Sequence, residues 1–579
     1  MQPIDFTTLT AICAELQTNW LPARLEQVYQ RDAYTICLAL RTIDRKGWLT
    51  LSWHPQAARI SIGPPPPRTP DTFTFSQQLR HQLGNLALVE IAAIAPWERV
   101  LDLQFGQRPG EAPLWHLYAE IQGKYSNVIL TDKDNVIVTA AHQVNAQQSS
   151  VRPILTGQPY EVPPRLTDPA PSLEEDLAHW QERVSLINAP LQKNLLKSYR
   201  GLSSALVLAM LRQAKLDPQQ LPESLTPQNW QTLFDCWQDW LTRLQTAAFI
   251  PGFTPTGYTV LGWEIDEPCD SVHVLIDRYY TQQLNQQEFS QLRHQLSQKI
   301  NHLLQKLRLK AADFTTRLSQ SDRAEEYRQQ ADLLMAHLQE WRLGMTEIVL
   351  ADFITGAPVT LSLDPTKNAV QNAQALYKRH QKLRRARGAI EPLLTDVLTE
   401  IHYLEQVEVA LGELADYQQP ADLETLEEIR DELIQQNYLA DSRYRGRSRQ
   451  TDTTSQPFRY RSPNGLEVLV GRNNRQNDDL TFRVSNDYDL WFHTQEIPGS
   501  HVLLRLPPGT SPEPLDLQFA ADAAAYHSRA RQSEQVPVVY TKPRFVYKPK
   551  GAKPGMTVYK QEQVIWGSPP RHAQFAMSS

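Results

Sequence analysis

The stretch Leu480–Leu506, LTFRVSNDYDLWFHTQEIPGSHVLLRL, decides how the C-terminal part of the chain is interpreted. Its core, DLWFHTQEIPGSHV, combines an acid, two large aromatic rings, two histidines and a Pro-Gly-Ser turn. Aromatic rings offer stacking faces to nucleic-acid bases, and a glycine lets backbone N–H groups approach a phosphate. These residue types together predict an RNA-binding site. Its candidate side chains are Asp489, Trp491, His493, Ser500 and His501.

A purely structural interpretation fits the same stretch. A strand, a turn at Pro498-Gly499 and a second strand would account for it, with Trp491 in the core. The residues of the stretch leave both interpretations open.

The flanking segments extend the candidate surface. Upstream, GRNNRQNDDLTF adds Arg472, Asn473 and Asn474 as candidate RNA-binding residues. Downstream, AADAAAYHSRARQ predicts a helix, and VPVVYTKPRFVYKP predicts a strand pair in which cations alternate with aromatic residues. That alternation is typical of a single-stranded RNA surface and also of an edge strand. An arginine-rich linker at 441–456 precedes this domain and is predicted to touch RNA non-specifically.

Bulk composition does not mark a nucleic-acid binder. The net charge is −6 and the pI is about 6.2, so an RNA-binding surface must be local. The four cysteines lie far apart without a CxxC, which predicts no disulfide framework, no metal site and a reducing compartment. We find no Walker loop, GxSxG or HExxH, so we expect no catalytic residues and no cofactor.

Targeting features are also missing from the sequence. The N-terminus MQPIDFTTLT has no basic region followed by an apolar run, and the longest apolar run, near Leu202–Leu211, is too short to span a bilayer. We therefore expect a cytoplasmic protein with no membrane partner.

Residues 1–170 have the pattern of a mixed α/β domain. Asp5 or Thr7 would cap a helix that runs to about Leu25. The runs YTICLALRT, GWLTLSWHP and ARISIGPPPP predict antiparallel strands, and FSQQLRHQLGN predicts a short helix that ends at Gly84.

Two short pieces of this domain are candidate functional sites. Glu98 and Arg99 adjoin in a predicted strand, where they would point to opposite faces. Lys124 lies in GKYSNVIL, at the predicted start of another strand. An ordinary exposed ion pair and an edge-strand start are the alternatives.

Helical periodicity begins at about Ser172. LLKSYRGLSSALVLAML predicts a helix, a glycine turn and a second helix capped by Ser203 or Ser204. A helix-hairpin-helix module would hold a phosphate at such a turn, assisted by Lys197 and Arg200. A simple packing unit of two helices fits equally well.

Two long apolar seams, at Leu296–Trp341 and Ile390–Leu414, predict an antiparallel coiled-coil hairpin at 282–440 with a small middle module at 345–388. At 1.5 Å per residue each arm would project roughly 70–90 Å. A basic run near the tip, almost without acids, favours a polyanionic partner. Its candidate rRNA contacts are Lys378, Arg379, Lys382, Arg384 and Arg385.

An ordered series of these motifs resembles the NFACT family. It consists of GRNNRQNDDLTF, DLWFHTQEIPGSHV, AADAAAYHSRAR, KPKGAKPG and SLDPTKNAVQNAQALYKRHQK. The resemblance implies an α+β multidomain protein whose N-terminal domain (1–170) has a glycosylase-like mixed α/β fold. A helix-hairpin-helix module (171–250), the coiled-coil hairpin (282–440), the basic linker (441–456) and an α+β RNA-binding domain (457–570) would follow.

The same resemblance implies a ribosome-associated quality-control factor. It would bind the large ribosomal subunit with an obstructed peptidyl-tRNA, contact rRNA, and recruit alanyl-tRNA to extend the stalled nascent chain. The family has an Asp-Arg pair tied to tRNA where this chain has Glu98-Arg99. Glu98, Arg99 and Lys124 are thus the candidate tRNA-binding residues.

Two other functions stay open at this point. The older family name implies a fibronectin-binding surface adhesin, against which the missing signal argues. The glycosylase-like fold suggests a nucleic-acid-processing enzyme, but Gln2 follows Met1 where glycosylases have a proline nucleophile.

Overall fold

A computed structural model describes residues 1–67, 70–145, 147–149, 152–164, 167–440 and 455–576. The described chain is an α+β multidomain protein, as the sequence predicts, and divides into two compact units, Met1–Leu284 and Asn285–Ser579. The predicted linker at 441–456 lies outside the described residues except for its last two. None of the described helices combines the length and hydropathy needed to cross a membrane.

A nine-stranded antiparallel sheet organises the first unit, which confirms the predicted antiparallel arrangement. Its order is β4-β3-β2-β1-β5-β6-β7-β8-β9. The strands are β1 (Ala23–Asp32), β2 (Thr35–Arg41), β3 (Lys46–Ser52), β4 (Arg59–Gly63), β5 (Ala87–Ala93), β6 (Val100–Gly106), β7 (Trp115–Glu120), β8 (Asn127–Asp132) and β9 (Ile137–Ala140).

The first helix, α1 (Phe6–Trp20), begins where the sequence predicts. Asp5 Oδ1 accepts the Thr8 N–H at 2.8 Å and so caps it. The prediction that the helix reaches Leu25 is wrong, because Pro22 disfavours helical backbone at the residue before it. Leu25 instead belongs to β1, a strand that the sequence interpretation missed.

Helix α2 (Thr74–Leu83) ends at Gly84 as predicted, and four further helices and three short strands follow it in the described part of the first unit. The helices of the middle region bury the tryptophans Trp180, Trp237 and Trp240 between them. The remaining elements are α3 (Leu177–Val184), α4 (Leu191–Ser198), α5 (Ser204–Gln213) and α6 (Pro227–Thr246), and a small sheet of β10 (Gly252–Thr254), β11 (Gly257–Thr259) and β12 (Glu267–Pro268).

Two long helices dominate the next region: α7 (Val272–Asp322) has 51 residues and α9 (Ala369–Glu413) has 45. At 1.5 Å per residue they are roughly 75 and 70 Å long. The early part of α7 shares an apolar cluster with the late part of α9 and with α10 (Pro420–Gln435), so the helices are antiparallel. The cluster includes Phe289, Leu292, Leu296, Leu404, Val407, Leu411, Leu426 and Ile429. Coiled-coil packing along the full length stays a prediction.

The far end of this helical region holds a small module. Helix α8 (Ala324–Ala336), the hairpin of β13 (Glu347–Ala351) and β14 (Pro358–Ser362), and the first turn of α9 share one apolar cluster. The basic run belongs to α9 and not to this module as predicted, because α9 is one continuous helix from Ala369 to Glu413.

The C-terminal domain is built on a six-stranded sheet of order β15-β16-β18-β17-β19-β22, with an alanine-rich helix across one face. The predicted turns at SPNG and Pro498-Gly499 connect β15 to β16 and β17 to β18. Its elements are β15 (Phe458–Arg461), β16 (Glu467–Val470), α11 (Asn474–Asp479), β17 (Leu490–Thr494), β18 (Val502–Leu504), α12 (Pro514–Tyr526), β19 (Val536–Thr541), β20 (Val546–Tyr547), β21 (Val558–Tyr559), β22 (Gln563–Gly567) and α13 (Pro569–Ala576).

Candidate nucleic-acid interface

Trp491, the central aromatic of the candidate RNA-binding stretch, lies inside the domain. Its ring is 1% exposed and contacts Val539 and Val546. Its indole N–H donates to Thr481 Oγ1 at 3.1 Å. The expectation that Trp491 offers a stacking face to RNA is therefore wrong for this structure, and the alternative that places it in the core is right.

Asp489 and Ser500 hold the β17–β18 hairpin. The carboxylate of Asp489 is fully buried and accepts the backbone N–H groups of Asn486 and Leu506, at 2.9 and 3.0 Å. The Ser500 N–H donates to the carbonyl of His527 at 2.9 Å. The side chain of Asp489 and the main chain of Ser500 thus satisfy buried backbone groups, which would otherwise cost free energy.

The two histidines of the stretch stand perpendicular to each other, with ring centroids 5.4 Å apart. His501 Nδ1 lies 2.7 Å from Thr481 Oγ1, and His493 Nε2 lies 3.3 Å from the Gly499 carbonyl. Burial lowers the pKa of His493 to about 4 and that of His501 to about 3. Both rings are neutral at pH 7, so neither attracts a phosphate as a cation.

Three successive polar residues upstream bind acids of helix α10. Arg472 Nη2 lies 2.6 Å from Asp422 Oδ1, Asn473 Nδ2 donates to Glu428 at 2.6 Å, and Asn474 Nδ2 donates to Glu432 at 3.0 Å. All three side chains are at most 4% exposed. The prediction that these three bind RNA is therefore corrected: they attach the C-terminal domain to α10, and Asn473 also caps α11.

A group of exposed cations lies further along the chain, on the β20–β21 ribbon. We call residues 542–560 the basic ribbon. No acid occurs between Glu534 and Glu562, so the segment is strongly cationic. The β20 strand pairs with β21 and not with β19, which corrects the predicted strand pair. Its exposed cations are Lys542, Arg544, Lys548, Lys550 and Lys560, of which Lys548 is paired with Asp478.

Aromatic rings accompany the cations of the basic ribbon. Lys560 Nζ lies 5.7 Å from the Tyr547 ring centroid, and Tyr547 is 47% exposed. The Arg544 guanidinium lies 4.8 Å from the Phe545 ring. Cations beside exposed rings are the combination that single-stranded RNA-binding surfaces use.

A second cationic surface lies on α9. Lys378, Arg379, Lys382, Arg384 and Arg385 are all exposed, and we call them the α9 basic surface. The Arg379 guanidinium lies 4.5 Å from the Tyr327 ring of α8. Arg387, at the end of the run, is engaged by Asp322 and Glu391 at 2.8 and 2.7 Å and does not contribute a free charge.

Glu98 and Arg99 lie in the connection between β5 and β6, not within a strand as predicted. The reason is Trp97, whose φ of 67° breaks the strand. Its ring packs between Phe6 and Trp240, with centroids at 4.7 and 5.7 Å. Glu98 is buried, whereas Arg99 is partly exposed and donates to the Ile4 carbonyl at 3.3 Å. Arg99 is thus the accessible member of the pair.

The turn between α4 and α5 lies against this loop, since a Cβ on Gly201 would come 2.5 Å from the Trp97 ring. Ser203 caps α5 by accepting the Leu206 N–H, and its hydroxyl donates to Asp5 Oδ2 at 2.7 Å. A carboxylate thus stands beside the cap where a helix-hairpin-helix module would hold a phosphate. This geometry favours the packing alternative for the turn.

Lys124 is exposed at the start of β8, as the sequence predicts. It lies in a 3₁₀ turn, Gly123–Tyr125, with its Nζ 4.9 Å from the exposed Tyr125 ring. Lys124 and Tyr125 thus form a small exposed patch, cationic and aromatic, on the surface of the first unit.

The sequence interpretation missed one cleft of the second unit, of about 360 Å³. It lies between α9, the turn after β17 and the loop before β21. A usable signal was Gln406, a polar residue within the apolar seam of α9 that the structure buries. Its lining residues are His402, Gln406, His493, Glu496, Gly555, Met556, Thr557 and Tyr559.

Comparison with known proteins gives two family matches in chain order. Residues 5–452 match the NFACT N-terminal and middle domains, and residues 456–560 match the NFACT protein RNA binding domain. The Rqc2 homolog RqcH of Bacillus subtilis (strain 168) is 28% identical over 574 residues, and that of Streptococcus suis (strain 05ZYH33) is 29% identical over 567 residues. Each alignment covers 96% of both chains. The solved C-terminal part of the fibronectin/fibrinogen-binding protein from Streptococcus suis is 30% identical, with a TM-score of 0.37, over 48% of this chain and 95% of that one.

Proposed function

The chain belongs to the NFACT family, and from this premise we propose that it is a ribosome quality-control factor that binds the large ribosomal subunit carrying an obstructed peptidyl-tRNA. The observation that carries the proposal is the pair of family matches, which together span residues 5–560. The RqcH relatives align with this chain over 96% of both lengths, so the domains follow each other as they do in those proteins. The place of action would be the cytoplasm, where ribosomes work.

The activity would be the recruitment of tRNA, specifically alanyl-tRNA, so that the stalled nascent chain receives a C-terminal tail. Peptidyl transfer would remain the chemistry of the ribosome. The protein would contribute by holding the tRNA in place, and proximity of this kind lowers a barrier without a protein nucleophile.

The surfaces described above have distinct tasks under this proposal. Arg99, which is partly exposed, and Lys124, which is exposed beside the Tyr125 ring, would contact the tRNA, with Glu98 as the third residue of this site. The α9 basic surface would contact rRNA at a distance from the helix base. The basic ribbon would supply the RNA contact of the C-terminal domain.

The decisive experiment is sedimentation of the tagged full-length protein through a sucrose gradient, with sequencing of the RNA that co-purifies. We expect the protein in the fractions of free large subunits, with one or a few tRNAs enriched. Protein at the top of the gradient without tRNA would refute the proposed role and favour the adhesin or DNA-processing alternatives.

A point substitution separates tRNA binding from subunit binding. We expect Arg99→Ala to reduce tRNA recovery by about tenfold, as for a lost charge-assisted contact, while large-subunit binding persists. Arg108→Ala is the matched control, since Arg108 is an exposed arginine of the same unit in the β6–β7 connection. Equal loss of tRNA and subunit in the Arg99 variant would mean that Arg99 is structural.

A further inference from the structure

The cleft beside α9 contains an unsatisfied hydrogen-bond acceptor. Gln406 is 5% exposed, and its Oε1 has no hydrogen-bond partner among the described residues. A buried acceptor without a donor is costly, so such groups in native proteins usually mark a ligand or a bound water. Because Gln406 lines the cleft, a ligand in the cleft with a hydrogen-bond donor would satisfy Gln406 Oε1.

Gly555 lies directly beside Gln406 in the lining of the cleft. Its φ of 74° favours glycine, and its N–H donates to Asp478 Oδ1 at 3.1 Å. A Cβ there would lie 2.6 Å from Asn474 Oδ1 and 3.0 Å from Gln406 Oε1. Any side chain at 555 would therefore crowd Gln406, and the glycine keeps this part of the cleft open.

The remaining lining is aromatic, apolar or uncharged except for one carboxylate. Tyr559 contacts the buried Trp491, with centroids 5.7 Å apart, and lies beside Met556. Burial lowers the pKa of the nearby His493 to about 4, so its ring is neutral at pH 7. Glu496 adds a negative charge at the exposed rim. No lysine or arginine lines the cleft, so its chemistry disfavours a phosphate and suits a flat, uncharged group that donates N–H.

We propose that this cleft receives one unstacked nucleobase, whose exocyclic amino group donates to Gln406 Oε1, from single-stranded RNA held on the adjoining basic ribbon. The cleft and the ribbon share residues of the segment 555–559, so a strand whose phosphates follow the ribbon cations passes the cleft. The volume of about 360 Å³ accommodates a purine. The inference rests on the RNA-binding role of the C-terminal domain proposed above.

The test compares short fluorescent adenosine and uridine oligonucleotides with the full-length protein, by fluorescence anisotropy. Adenine carries an exocyclic amine where uracil carries a carbonyl oxygen. We expect adenosine RNA to bind about five- to tenfold more tightly, the value of one well-placed hydrogen bond to a buried group. Gln406→Met keeps the length of the side chain, removes its amide and should abolish the preference.

Controls separate the cleft from the ribbon. Lys542→Gln with Lys550→Gln should weaken both oligonucleotides equally and keep the preference for adenosine. Tyr559→Leu is a second cleft variant, which should also lower the affinity for adenosine RNA. It takes the place of Gln406→Met in the test if that variant does not fold. Thermal unfolding of each variant checks that the fold is intact.

Several outcomes would overturn the inference. Equal affinity for both RNAs, or a preference for uridine, would exclude the amino-group contact while leaving RNA binding by the ribbon intact. No binding of either RNA would refute the ribbon as well. Displacement of the adenosine oligonucleotide by an equal concentration of free adenosine would assign the cleft to a free nucleoside instead of RNA.

Discussion

The β17–β18 hairpin and the basic ribbon lie in one domain and have similar residue types, yet the structure uses them in opposite ways. Both combine aromatic rings with polar or charged side chains. In the hairpin, Trp491 and Asp489 are at most 1% exposed and hydrogen-bonded within the domain. In the ribbon, most of the cations and Tyr547 face solvent, whereas Lys553 packs against the Tyr438 ring. Residue type alone therefore does not separate a structural network from a binding surface.

The position of each segment in the sheet explains the difference. Strand β17 is central, between β18 and β19, and both of its faces are covered. Polar groups there must pair internally, because an unpaired buried polar group costs free energy. The β20 and β21 strands have two residues each and form a separate ribbon. Lysines on such a segment stay solvated and available to a polyanion.

The largest expected effect is that of Trp491→Ala. It removes a fully buried ring and the hydrogen bond to Thr481, so we expect a loss of about 3–5 kcal/mol in the free energy of unfolding. Trp566→Ala is the matched control, because Trp566 is 57% exposed on the edge strand β22. Chemical denaturation of both variants measures the difference. A stable Trp491 variant that loses RNA affinity would return this residue to the binding surface.

The next effect concerns the attachment of the C-terminal domain to α10. Arg472→Met leaves Asp422 buried without its cation, which should cost about 3 kcal/mol of stability. The double variant Arg472→Met with Asp422→Asn should recover most of that loss, since it removes both charges and keeps an oxygen that accepts the N–H groups of Gln418 and Gln419. If the single variant were fully stable and bound RNA more weakly, Arg472 would be a binding residue after all.

Acid should destabilise the hairpin network through its histidines. The pKa values of about 4 for His493 and about 3 for His501 lie below the ordinary 6.5, so the unfolded chain takes up protons first. Stability is therefore present above pH 6.5 and falls as the pH drops towards 4. Between pH 6.5 and pH 5, each histidine lowers the free energy of unfolding by about 2 kcal/mol.

Comparing the wild type with His501→Gln isolates this contribution. Glutamine retains a hydrogen-bonding group near Thr481 but does not titrate, so the variant should lose less stability on acidification. Unfolding curves at several pH values provide the measurement. Parallel pH dependence in the two proteins would show that His501 titrates normally.

The sequence predicted the elements whose signals are local. Asp5 and Gly84 mark helix ends correctly, and the alternating runs around Leu38 and Leu49 gave the antiparallel sheet. Strand β1 was missed, since its mixed polar sequence EQVYQRD does not alternate clearly. The roles of Arg472, Asn473 and Asn474 depend on acids more than 40 residues away in α10, and no local pattern reveals such partners.

The smallest effect on stability, and the sharpest test of the comparison, comes from neutralising the basic ribbon. Lys542→Gln, Arg544→Gln and Lys550→Gln remove three exposed charges, and we expect each to change stability by no more than about 0.5 kcal/mol. Single-stranded RNA binding should weaken, and the slope of log affinity against log salt concentration should fall by about 2, since each lost phosphate contact contributes about 0.7.

A control with the same change in net charge, Arg45→Gln with Arg108→Gln and Lys133→Gln in the first unit, should leave the affinity for short RNA and its salt slope nearly unchanged. Global charge would lower both slopes alike, whereas a local surface lowers only that of the ribbon variant. If the two triple variants had the same RNA affinity and the same salt slope, the ribbon would be an ordinary solvated edge. The ribbon and the β17–β18 hairpin would then differ in burial, but neither would be an RNA-binding surface.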